Sequence, residues 1–92
     1  MKNPAVLWYP SDFSSSTIFW TNEQCGAYIR LLNYQFILGH LAEEQLKQIT
    51  NDEMVLSKFI KDKKGLFYNK RMEFVLTRAF HTSYTRLMIY II

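Results

Sequence analysis

The residue types able to do chemistry in this 92-residue chain are few and scattered. His40 and His81 are its two histidines and Cys25 its one cysteine, at none of the spacings that bring metal ligands together. Glu43-Glu44 and Asp52-Glu53 are adjacent carboxylates of the kind that can share general acid–base work. Each pair opens a helical pattern, however, where carboxylates complement the positive end of the helix dipole, and helix starts are the better reading. The Ser-rich stretch 11–17 reads as a polar connector, and neither a glycine-rich phosphate loop nor a nucleophile motif is present. The pattern predicts neither an enzyme nor a cofactor.

The basic residues are organised differently. Residues 1–57 hold three Lys or Arg against six Asp or Glu, whereas residues 58–92 hold eight against two. A chain of net charge +3 that is acidic in front and basic behind fits a polyanionic partner on its basic half. The length predicts one domain, and 49% apolar and 16% aromatic residues are enough for one modest core. One cysteine excludes an intrachain disulfide, which points to a reducing cytoplasm. The longest apolar run, Leu87 to Ile92, falls far short of the roughly 20 residues that span a bilayer, so no membrane partner is expected. That run is more than so small a core can cover and is expected to pack against a second copy, giving a homo-oligomer.

The elements that must position these residues follow from spacing. Ala5 to Tyr9 is short and apolar and is stopped by Pro10, as a first strand would be. Thr21-Asn22-Glu23-Gln24 is a capping-box start. Cys25, Tyr28, Ile29, Leu32 and Phe36 then repeat at helical spacing up to Gly39, a natural left-handed stop. Ala42 to Ile49 reads as a second helix. Asp52 to Ile60 reads as a third, with Met54, Val55, Phe59 and Ile60 facing inward. Asp62-Lys63-Lys64-Gly65, between Phe59-Ile60-Lys61 and Leu66-Phe67-Tyr68, predicts a hairpin with a type I turn and a left-handed glycine. Asn69 is a good N-cap for a last helix with Met72, Leu76 and Phe80 on one stripe.

The expected fold is α+β and mostly helical: a short N-terminal strand, three helices, a β-hairpin and a C-terminal helix. Three compact helices followed by a two-stranded wing are the arrangement of winged helix-turn-helix domains, in which the helix before the hairpin enters the major groove.

The chain also resembles the N-terminal domain of phage and prophage replication-associated proteins, the replisome organisers and replication initiators. The residues that carry the resemblance are Tyr9-Pro10-Ser11-Asp12-Phe13, Thr21-Asn22-Glu23-Gln24, Gly26 with Tyr28 to Leu32, and Gly39-His40-Leu41 before Glu43-Glu44-Gln45. Ser57-Lys58-Phe59, Gly65-Leu66, Tyr68-Asn69 and Arg71 follow in the same order. The resemblance implies a winged-helix domain over residues 1–73, binding to double-stranded DNA in a bacterial host, and a phage or host replication protein as a further partner. Residues 74–92 depart from it. The family continues with a charged helix and a basic tail where this chain has Phe74-Val75-Leu76, a change that a truncation or an altered reading frame would explain.

On this reading the DNA contacts are Lys47 and Lys58 near the groove-facing helix, Lys61, Lys63 and Lys64 on the wing, and Lys70 and Arg71 after it. They would meet the phosphate backbone. The alternative is a winged-helix module for protein–protein interaction or oligomerisation without DNA binding. It is favoured by Asp52 and Glu53, carboxylates that would repel phosphates at the start of a recognition helix.

Overall fold

A computed structural model describes residues 9–81 as five helices and one hairpin. In order these are α1 (Pro10–Ser16), α2 (Asn22–Leu38), α3 (Glu43–Ile49), α4 (Glu53–Leu56), β1 (Ile60–Lys61), β2 (Phe67–Tyr68) and α5 (Lys70–His81). The protein is a small, mostly helical α+β unit with an antiparallel two-stranded sheet. Of the strand expected over Ala5 to Tyr9, only Tyr9 lies within the described residues, as the N-cap of α1.

The Ser-rich stretch is a helix and not a connector. Pro10 occupies the start of α1, where its fixed φ suits the first turn and its missing N–H costs nothing. A residue that can end a strand therefore begins a helix here. Asp12 adds a carboxylate to the first turn, and the Thr17 hydroxyl donates to the Phe13 carbonyl at 2.8 Å to close the helix.

Helix α2 is the spine. The capping box forms in both directions: the Gln24 N–H donates to Thr21 Oγ1 at 3.1 Å, and the Thr21 N–H to Gln24 Oε1 at 2.8 Å. Gly39 stops the helix at φ +89°. The buried face is Tyr28, Leu31, Leu32 and Gln35, with Cys25, Ile29 and Phe36 half-buried at its margin. Helix α3 starts at Ala42, which has no side chain to cap with. The Gln45 amide oxygen reaches back to accept the Ala42 N–H at 2.7 Å, so half of the capping arrangement survives.

The expected third helix is cut short. Asp52 caps it through Val55 N–H at 3.1 Å, but α4 ends at Leu56 after a single turn. Tight turns follow, from Lys58 N–H to the Val55 carbonyl and from Phe59 N–H to the Leu56 carbonyl. Tertiary demands override local propensity here: Phe59 is buried, Ile60 is drawn into the ladder, and the Lys58 carbonyl is taken by Asn69 Nδ2 at 2.9 Å. Val55 and Phe59 face the core as expected, whereas Met54 and Ile60 are exposed.

The hairpin forms as the turn chemistry dictates, pairing Ile60 with Tyr68 and Lys61 with Phe67. Asp62 Oδ1 accepts the Lys64 and Leu66 N–H groups, and Gly65 sits at φ +86°. A Cβ at Gly65 would meet nothing within 4 Å, so substitution there costs backbone strain alone. Gly65→Val is expected to destabilise the protein by about 1–2 kcal/mol, because a β-branched residue resists positive φ. An unaltered melting temperature would remove that assignment. On its other edge Phe67 pairs with Leu41, N–H to carbonyl both ways at 2.8 and 2.6 Å, which ties the α2–α3 connection to the sheet.

Helix α5 is capped by Asn69, whose Oδ1 accepts the Met72 N–H at 2.9 Å, and it runs without a break past residue 73. Met72 is buried and Leu76 packs against the core. The apolar tail at 87–92 lies outside the described residues. No helix among the described residues is long and apolar enough to cross a membrane.

Candidate nucleic-acid interface

The seven basic residues singled out above divide into three groups. Lys61, Lys63 and Lys64 belong to the hairpin and Lys70 opens α5; all four are exposed. None of these four ammonium groups has a carboxylate partner among the described residues, although Lys61 lies 5.5 Å above the Phe67 ring. Lys47 and Arg71 are exposed but engaged. Lys47 reaches Glu43 one turn back at 3.6 Å, and the Arg71 guanidinium bonds Asp12 and covers the Tyr9 ring at 5.6 Å. Lys58 stands apart. With α4 ending at Leu56 it is not on the helix before the wing; it lies in the turn beyond, half-buried, with its ammonium 5.7 Å from the Trp20 ring centre.

The hairpin's own carboxylate does not neutralise its lysines. Asp62 Oδ2 is 2.6 Å from His40 Nδ1, and His40 Nε2 is 3.1 Å from Glu73 Oε1, so the imidazole bridges the turn to α5. The ring also stacks on Tyr68 at 4.4 Å and 10°. The hydrogen bond to Asp62, with Glu73 adding to it, raises the His40 pKa above its ordinary value, and the same bond lowers that of Asp62. A neutral imidazole has one N–H, whereas two carboxylates ask for two, so this geometry favours the imidazolium.

Beneath the hairpin lies a buried polar network. Gln35 is fully buried; its Oε1 accepts the Asn69 N–H at 2.6 Å and its Nε2 donates to the Asn69 carbonyl at 3.2 Å. Asn69 Nδ2 also donates to the Tyr28 hydroxyl at 3.1 Å. The network fixes where β2 becomes α5, and so where Lys70 and Arg71 emerge.

Sequence reasoning missed His40, Asp62 and Glu73 as a group, because they are 22 and 33 positions apart and only folding joins them. Gln35 did carry a signal: it is the one polar side chain on the buried face of α2. No group of His, Cys, Asp and Glu among the described residues could hold a metal ion. No protein-family model matches this chain, and no curated protein or solved structure matches it either.

Proposed function

We propose that this chain is a winged helix-turn-helix DNA-binding domain of a phage or prophage replication system, holding duplex DNA through the phosphate backbone with its hairpin. The observation that carries the reading is the hairpin itself, which presents Lys61, Lys63 and Lys64 exposed and without carboxylate partners among the described residues. The element order supports it: a long helix, a segment pairing with the hairpin at Leu41, two short helices, the hairpin and a last helix follow one another as in winged helices. Helix α4, one turn long and headed by Asp52 and Glu53, is too short and too acidic to read bases. The contact is therefore one of lysines with phosphates, and it discriminates little between sequences.

Each phosphate neutralised contributes about 0.9 to the slope of log affinity against log salt. Changing Lys63 and Lys64 together to Ala should weaken binding equally for unrelated duplexes and flatten that slope by up to about 1.8. Fluorescence anisotropy at two salt concentrations measures both, and an unchanged slope would sink the wing-on-phosphate reading. The second reading, a protein-interaction or oligomerisation module, is favoured by Ile18 and Phe19, adjacent in the α1–α2 connection and 70% and 92% exposed. Under it the double variant has the same weak DNA affinity as the parent, and Phe19→Ala disrupts assembly.

A further inference from the structure

A cavity of about 280 Å³ lies between α1, α2 and the start of α5. We infer that it is a binding site for a single nucleotide, which goes beyond the hairpin reading and needs no contact between the wing and a duplex. Tyr28 lines the cavity and is 7% exposed; its hydroxyl accepts from Asn69 Nδ2, but its own proton has no acceptor among the described residues. The hydroxyl therefore keeps a donor to offer to an acceptor held in the cavity that Tyr28 lines. Burial also pushes the Tyr28 pKa up, which keeps that proton in place.

The rest of the lining fits a flat ring bearing a phosphate. Phe13 stacks on Tyr28 at 5.6 Å and 14°, and Tyr9 stands at the rim beneath the Arg71 guanidinium. Lys58 lines the same cavity, held beside Tyr28 because its carbonyl accepts from the same Asn69 Nδ2; its ammonium has no carboxylate partner among the described residues. Arg71 is already bonded to Asp12, which lines the cavity too, so Lys58 is the cation left for a phosphate. Aromatic rings, a hydroxyl donor and such a cation are parts with which proteins hold an unstacked nucleotide. The volume lies just below the usual range of small-ligand sites, which suits a ligand no larger than a single nucleotide. The nucleotide has two sources, a free monophosphate or an unpaired position in a DNA strand.

Calorimetric titration of the full chain with thymidine monophosphate, a short oligothymidylate and a duplex separates these. Binding of the monophosphate and the oligonucleotide with similar affinity supports the free nucleotide; binding of the oligonucleotide alone supports the unpaired strand. Tyr28→Phe keeps the ring and removes the hydroxyl, and should weaken whichever ligand binds about tenfold. Lys58→Ala, at a half-buried position, should weaken it similarly and, with the oligothymidylate, flatten the salt slope by about 0.7, and it carries the test if Tyr28→Phe does not fold. Absence of heat with both ligands, or unchanged affinity in the folded variants, overturns the inference. The Lys63, Lys64 double variant should bind the monophosphate like the parent. If the parent binds monophosphate while duplex affinity ignores those lysines, the wing reading fails and the nucleotide site stands.

Discussion

Replacing Asn69 by Ala is expected to lower the unfolding free energy by about 2–4 kcal/mol, the largest effect of any exchange considered for this chain. The loss has two parts. The side chain is the N-cap of α5, and removing such a cap costs about 1 kcal/mol. It is also nine-tenths buried and donates to the Tyr28 hydroxyl and the Lys58 carbonyl, so its removal strands those acceptors at about 1–3 kcal/mol. Asn69→Ser keeps an N-cap acceptor and loses the amide donors, and should fall between the parent and the Ala variant. Urea unfolding of the three proteins measures the order. An Ala variant within about 0.5 kcal/mol of the parent would show that the network contributes nothing beyond what water can replace.

The second large effect is on pH. His40 has a pKa raised by its bonds to Asp62 and Glu73, so the stability it contributes is fully present below its unfolded value of about 6.5. That stability is lost as pH rises through the higher folded value. Asp62 has a depressed pKa, so its share is present above the ordinary carboxylate value of about 3.9 and is lost as pH falls through the folded one. The bridge is therefore strongest between those two limits. Gln35, whose Nε2 donates to Glu73, carries no ionisable group, and Tyr68 stacks on the imidazole ring. In urea unfolding the gap between the parent and His40→Gln should be wide near pH 5.5 and narrow near pH 9. A gap that does not change with pH would mean that the imidazole is not charged in the bridge.

The parts of this fold written locally were legible, and the parts written by distance were not. The capping box of Thr21 and Gln24, the turn of Asp62 and Gly65 and the helix cap by Asn69 are each made within four residues, as type and spacing imply. Pro10 was open to two readings, because the same ring that ends a ladder also suits the first turn of a helix, and here it begins one. The end of α4 was hidden for another reason. Phe59 and Ile60 continue a helical pattern, and only the pairing of Ile60 with Tyr68 and the claim of Asn69 on the Lys58 carbonyl pull the chain out of it. The seven basic residues of the candidate interface were legible as charge but not as pairing. That Lys47 and Arg71 are engaged, and that Lys58 lies over an aromatic ring, depends on Glu43, Asp12 and Trp20 arriving beside them.

Helix α1 contributes no buried residue of its own. The Phe13–Tyr28 ring contact and the exposed Arg71–Asp12 pair are among the contacts that hold it to the rest of the molecule, and a surface ion pair of that kind is worth no more than about 1 kcal/mol. Segments so thinly attached open by themselves, well before the whole chain unfolds. The amides of Phe13 and Thr17 should therefore exchange with deuterated solvent orders of magnitude faster than those of Leu31 and Leu32 in the middle of α2. The cavity, already open to solvent on one side, then has one wall that detaches and returns and one that stays closed, so the seven residues of α1 set how long its shape lasts.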